Sequence, residues 1–168
     1  ILHLTDTIWG LGCDPKDQSA IKKLHTIKKR PNSKSYIILI SEEGQIYNYV
    51  KKIPEIAWDI LEVQDEPLTI IYPQGKNLPP EVLAEDGSIA IRLVKDKECL
   101  TLLKRLRNGL ISSSANISGE NSPTQYSEIS NTVLNEVDNI VTSKVESHKK
   151  ASKIIKLGLN GEFELIRK

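Results

Sequence analysis

In the stretch IKKRPNSKSYIILI, residues 27–40, a basic cluster of Lys28, Lys29 and Arg30 meets a proline, and the apolar run Ile37 to Ile40 follows. Pro31 has no amide proton to continue a helix, so the segment ahead of it must stop there. That segment carries Ile21, Leu24 and Ile27 on one helical face, with Asp17 placed to cap its first turn. An unbroken run of branched aliphatic residues is the form of a strand buried on both faces, and Tyr36 to Ile40 is read as one. Helix, turn and buried strand in succession predict a layered α/β domain.

The same alternation extends in both directions. Residues 1–4 read as the end of a strand, and Thr5 to Pro15 as a loop with Gly10, Gly12 and Asp14 as turn residues. Residues 43–61 read as two short helices divided at Pro54. Strands are expected at Leu68 to Tyr72 and Ser88 to Leu93, and a helix over 97–107 that Asn108-Gly109 closes before a strand at Leu110 to Ser113. A helix over about 126–136 leads to a strand near Ile140, and Asn160-Gly161 joins two last strands as a hairpin. The expected architecture is a mixed sheet with flanking helices and an antiparallel end.

With 168 residues the chain suits a single domain. Charged residues make up 27% and the net charge is +1, so overall charge names no partner. The longest apolar runs fall far short of the roughly 20 residues that span a bilayer, and no basic, apolar leader opens the chain. The chain contains no Met and opens on Ile1-Leu2, which reads as a domain lacking its natural start. Cys13 and Cys99 have no ligand spacing for zinc and read as free thiols of a reducing cytoplasm. A single disulfide between them stays open at this level.

Four polar segments fall where strands meet loops: TDTIWGLGCD (5–14), KKRPNSKS (28–35), SSSANISGENSPT (112–124) and KASKII (150–155). In open α/β sheets ligand sites gather at strand ends, so the four are expected to line one crevice. Lys28, Arg30 and Lys34 flank the proline turn, and Arg92 ends the strand SIAIR, where an unpaired charge is costly. Convergent cations point to an anion such as polyphosphate, against the plainer reading of a solvated helix end. The hydroxyl-rich SSSANISGENSPT is either a surface turn or a cradle in which backbone amides, Ser and Asn hold an oxyanion. It lacks the P-loop spacing, and the two glycines of TDTIWGLG do not form a dinucleotide fingerprint. His3, His25 and His148 sit in no ligand motif, and Asp6 and Asp14 read as turn caps before metal ligands. No nucleophile and base pair stands out.

Taken in order, TDTIWGLGCD, KKRPNSKS, EPLTIIYP (66–73), SIAIRL (88–93), SSSANISGENSPT and ASKIIKL (151–157) resemble the signature of the threonylcarbamoyl-AMP synthase family, the YrdC-like domain. The resemblance spans Thr5 to Arg167 and implies a twisted open mixed α/β sheet with flanking helices around a positively charged cavity. It implies an enzyme that joins L-threonine, bicarbonate and ATP into threonylcarbamoyl-AMP and pyrophosphate, with Mg2+ sharing the phosphate charge. A partner threonylcarbamoyl transferase complex then modifies adenosine 37 of tRNAs that read ANN codons. Such a reaction needs no protein nucleophile, because threonine itself becomes the carbamate that attacks phosphorus.

By the same matching, Lys28 and Arg30 are the catalytic pair on the nucleotide phosphates, and Lys34 is a further ATP contact. Thr7 meets threonine and Arg92 its carboxylate. Ser114 and Asn116 lie between threonine and ATP, Thr124 lies on the nucleotide side, Ser152 faces threonine and Arg167 faces ATP. The chain departs from the family pattern at Leu4, Ile8-Trp9 and Ala151, which change shape rather than charge. Two rival readings remain: a non-catalytic module for double-stranded RNA or tRNA, using the cations for phosphates, and the carbamoyl-adenylate-forming domain of hydrogenase-maturation proteins. Aromatic residues are only 5% of the chain, which argues against a stacking platform for single strands.

Overall fold

The computed structural model describes residues 1–30, 35–141 and 150–168. Pro31, Lys34 and His148 therefore lie outside the described residues. Within them the strands are β1 (Leu2–Leu4), β2 (Trp9–Cys13), β3 (Ile37–Ile40), β4 (Leu68–Tyr72), β5 (Ile89–Leu93), β6 (Leu110–Ser114), β7 (Ile140–Val141), β8 (Lys153–Leu157) and β9 (Phe163–Arg167). They form one mixed sheet in the order β7-β1-β2-β6-β3-β5-β4-β8-β9. The pairs β3/β5 and β4/β8 are parallel, while β2/β6, β3/β6 and β8/β9 are antiparallel. The helices are α1 (Gln18–Lys28), α2 (Ile46–Tyr49), α3 (Ile56–Val63), α4 (Lys97–Leu106) and α5 (Asn131–Glu136).

Each ladder places paired residues on the same face, and the face changes with every step along a strand. One row across the sheet runs Ile111, Ile38, Ile91 and Ile70. Those side chains belong to the main core, with Ile21 and Leu24 of α1, Ile46 and Tyr49 of α2, Ala57 and Leu61 of α3 and Val133 of α5. The neighbouring row, on the opposite face, runs Gly12, Ser112, Ile37, Ala90, Ile71 and Lys156. Small residues, Gly12, Ser112 and Ala90, interrupt its two isoleucines and leave space above this face that the first face does not have. At one end α4 covers it, packing Cys99 and Leu103 on Leu39 and Leu110.

The helix boundaries follow local chemistry. Asp17 caps α1, its carboxylate accepting from the amides of Ser19 and Ala20, as its position predicts. Lys29 then turns into the left-handed region at φ 46°, ending the helix before the proline. Three readings need correction. Asn108-Gly109 does not close α4; Arg107 takes the left-handed cap instead, at φ 54°. Gly109 is needed for close packing, since a Cβ there would stand 2.6 Å from Ile38 and 2.8 Å from the Tyr49 hydroxyl. The helix expected over 126–136 splits into a single 3-10 turn, Tyr126–Glu128, and α5, because Ser130 caps a fresh start with its hydroxyl on the Val133 amide.

The third correction concerns Thr5 to Pro15, which is not all loop: Trp9–Cys13 is strand β2. Gly10 and Gly12 are strand residues on one face, and the ring of His3 lies over both. A Cβ on Gly12 would stand 2.6 Å from the Ile111 carbonyl and 3.0 Å from His3 Nε2. Gly12→Ala is therefore expected to destabilise the fold by about 1–3 kcal/mol through overpacking. Urea titration of the variant would check it, with an unchanged midpoint as the contrary result.

Candidate active site

The open face of the sheet forms a cavity of about 830 Å³. All four polar segments supply its walls: Thr5 and Thr7 from the first, Arg30 and Ser35 from the second, Ser112, Ser113, Ser114 and Ser122 from the third, Ala151, Ser152 and Ile154 from the fourth. Arg92 and Arg167 add to the positive lining. Of the residues read as functional, Thr7, Arg30, Arg92, Ser114, Ser152 and Arg167 are thus brought together.

The wall at Thr5 to Ile8 is built around one hydroxyl. Thr5 Oγ1 accepts from the amides of Thr7 and Ile8, donates to the Ile8 carbonyl at 2.8 Å, and lies 2.7 Å from Thr7 Oγ1. This local bonding replaces a backbone turn and fixes the direction of Thr7. Thr7 Oγ1 accepts from Arg92 Nη1 at 3.0 Å, while Arg92 Nη2 donates to the Asp6 carboxylate. Arg92 is buried, 4% exposed, and the pair keeps its charge compensated there. Asp6, read as a turn cap, is thus the counter-ion of the site.

Arg30 leaves the end of α1 and lies 4.6 Å above the Tyr36 ring, a cation–π contact. Its guanidinium donates to the Ser35 carbonyl at 2.6 Å and Ser113 Oγ at 3.4 Å. On the opposite wall Arg167 Nε donates to the Ser152 carbonyl at 2.8 Å and Nη2 to Ser152 Oγ at 3.2 Å. Ser152 Oγ in turn meets the buried Thr69 Oγ1 at 2.8 Å, so the last strand is tied to the cavity through a hydroxyl pair.

Lys28 and Asn116 stand behind the lining rather than in it, and the half-exposed Thr124 lies outside it. Lys28 is 2% exposed, and its ammonium donates to the carbonyls of Ser114 and Asn116 at 2.5 and 2.8 Å. Burial, helped by the neighbouring Arg30, lowers its pKa to about 8. In this arrangement the lysine pins the SAN turn from behind. Asn116 extends the scaffold, its Nδ2 donating to the carbonyls of Ile117 and Glu120. The Thr124 amide donates to Glu128 at 2.7 Å.

Sequence reasoning missed several groups. His3 is wholly buried, and desolvation pushes its pKa down to about 4, so it is neutral at physiological pH. Its Nε2 lies 3.2 Å from the cavity-lining Ser112 Oγ. Lys156 also lines the cavity and pairs with Asp86 at 2.7 Å, a bond that holds the Asp86 carboxyl down at about 2. Strand alternation from Ile154 was the available signal for Lys156; nothing local marked His3. Both thiols are free, and burial pushes each up to about 12, away from nucleophilic use. Among the described residues no group of three or more His, Cys, Asp or Glu side chains could hold a metal ion, and no helix is long and apolar enough to cross a membrane.

This fold has counterparts. A family model for Sua5, YciO and YrdC proteins, described as telomere recombination, matches residues 1–168. A protein of Pseudoalteromonas translucida named threonylcarbamoyl-AMP synthase is 31% identical over 165 residues, covering 96% of this chain and 88% of its own. One of the same name from Coxiella burnetii is 35% identical over 121 residues, covering 71% of this chain and 65% of its own. Among solved structures, P. abyssi Sua5 complexed with L-threonine superposes with a TM-score of 0.84 and 27% identity over 93% of this chain, which spans 46% of that longer one. E. coli YciO shares the fold at a TM-score of 0.79 and 19% identity, over 99% of this chain and 81% of its own. With the whole chain matched by one family model and a relative 31% identical over 96% of its length, the protein belongs to the Sua5/YciO/YrdC family.

Proposed function

We propose that the protein is a threonylcarbamoyl-AMP synthase, a nucleotidyltransferase that makes threonylcarbamoyl-AMP and pyrophosphate from L-threonine, bicarbonate and ATP. The observation that carries this reading is the gathering of Arg30, Arg92 and Arg167 around one cavity of about 830 Å³ in a chain whose relatives bear that name. Such a volume suits a nucleotide beside a small amino acid.

The chemistry asks for positioning of repelling anions rather than for a protein nucleophile. Bicarbonate and the threonine amine give a carbamate with loss of water. A carbamate oxygen then forms a bond to the α-phosphorus of ATP, and the bond to the bridging oxygen breaks as pyrophosphate departs. In this reading Thr7 and Arg92 hold the amino acid, and Ser152 lies beside it. Arg30 and Arg167 face the nucleotide and stabilise charge on the transferring phosphate. The SAN turn, with Ser114 and Asn116, is kept rigid between them by Lys28. Mg2+ enters as part of the ATP complex, held by phosphate oxygens, and shares their charge. Thr124 and Lys34 complete the nucleotide side by family matching.

The product would pass to a threonylcarbamoyl transferase complex for t6A formation at adenosine 37 of tRNAs reading ANN codons, which goes with a cytoplasmic protein. A non-catalytic role on double-stranded RNA is not favoured, because these cations line a concavity rather than a face that a duplex backbone can reach. The test is incubation with ATP, Mg2+ and labelled bicarbonate, with and without L-threonine. Threonine-dependent appearance of pyrophosphate and the labelled adenylate is the expected result; a folded protein that forms neither would overturn the reading.

A further inference from the structure

Arg92 is the cation that the synthase reading gives to the amino-acid carboxylate, yet it already holds a carboxylate, that of Asp6. Nη1 donates to Thr7 and Nη2 to Asp6. Each terminal nitrogen keeps a second N–H, and the Nε N–H is buried without a partner among the described residues. A substrate carboxylate reaching those second N–H groups would stand beside Asp6 on the same buried cation, and the repulsion of like charges there favours release of one of the two existing partners.

The two are unequal. Thr7 is buried and locked to Thr5 through a 2.7 Å hydroxyl contact and a hydrogen bond from its backbone N–H to Thr5 Oγ1, so moving it dismantles the turn. The Asp6 carboxylate is held by Arg92, and its side chain retains 14% of its exposure against 5% for the arginine. Exchanging Asp6 for another carboxylate keeps the buried guanidinium paired, so the desolvation already met by the fold is not incurred again. Loss of Thr7 would give no such compensation.

We propose that Asp6 occupies the place of the substrate carboxylate on Arg92, and that an α-amino acid binds by displacing it. The inference rests on the synthase reading of the cavity and adds a determinant of substrate affinity. Asp6 acts as an internal competitor: the apparent affinity for the amino acid is the intrinsic one reduced by the fraction of molecules in which Asp6 has swung aside. A ligand without a carboxylate does not meet this competition.

Calorimetric titration of the wild-type protein and Asp6→Asn with L-threonine and with L-threoninol, which has a hydroxymethyl in place of the carboxylate, separates the possibilities. Asn keeps an acceptor for Nη2 but carries no charge, so the fold retains its contact. Asp6→Ser is a second variant for which tightening in the same direction is expected. Asp6→Asn is expected to bind threonine about tenfold more tightly, the competing state having been weakened, with threoninol affinity unchanged. Equal or weaker threonine binding by the variant, or a parallel change for both ligands, overturns displacement and makes Asp6 a positioning residue. If wild type binds threonine and the variant gains nothing, displacement alone fails. If neither protein binds threonine, the synthase reading fails with it.

Discussion

Arg92→Met is expected to lower threonine-dependent adenylate formation by about a hundredfold to a thousandfold, the usual loss when one preorganised charge-stabilising donor is removed. The same change leaves Asp6 without its partner in a largely buried place, at a cost of about 3–5 kcal/mol of stability. These effects have different origins and can be separated. In the double variant Arg92→Met, Asp6→Asn the uncompensated charge is gone, so stability should recover most of the loss. Turnover should not recover, because the guanidinium is still missing. Thermal melts read the first quantity and pyrophosphate release the second. Recovery of turnover in the double variant would show that Arg92 serves the fold and not the reaction.

Lys28 carries the second large effect, and its pH dependence has a definite sign. Its pKa falls from 10.5 to about 8 on folding, because burial penalises the ammonium and Arg30 adds to the penalty. Between about pH 8 and 10.5 the unfolded chain holds a proton that the folded one has released, so this residue makes stability rise with pH over that window. Below pH 8 both states are protonated and the contribution is flat. Activity is expected to move the other way: the charged donor to the Ser114 and Asn116 carbonyls is lost as pH passes about 8, and the turn they belong to loosens. Lys28→Met should flatten this part of the stability profile and cut turnover by about a hundredfold, the lower end of the loss for one preorganised charged group. Urea melts from pH 7 to 10 beside initial rates check both. A rate that holds level through pH 8 would free Lys28 of any charge-dependent role.

Much of the architecture was legible because each element declares its own period. The run Ile37 to Ile40 was readable as a strand without any partner in view, and Asp17 as a cap without the helix it begins. Gly10 and Gly12 were misread for a physical reason. Glycine signals a turn by its backbone freedom, but here it is present for the space its missing Cβ leaves to His3, and that need arises only once β1 pairs with β2. The four cavity segments were legible as polar interruptions at strand ends. Which of their residues face the cavity was not, since Arg30 and Lys28 lie two positions apart on the same basic run, and one lines the space while the other supports its wall. The pairing of Arg92 with Asp6 joins residues 86 apart in sequence, a relation no local pattern contains.

The two faces of the central sheet divide the labour of the chain at single-residue spacing. On β3, β5 and β6, Ile38, Ile91 and Ile111 hold the helices, whereas Ile37, Ala90 and Ser112 border the cavity. Inheritance along such strands is therefore interleaved: one set of positions is answerable to folding, and the set between them to the ligand. A lineage can drift in what it binds by exchanging alternate residues, without disturbing the layer that keeps it folded. In a complete substitution scan, growth defects that track protein abundance and those that track catalysis would alternate along these strands with a period of two.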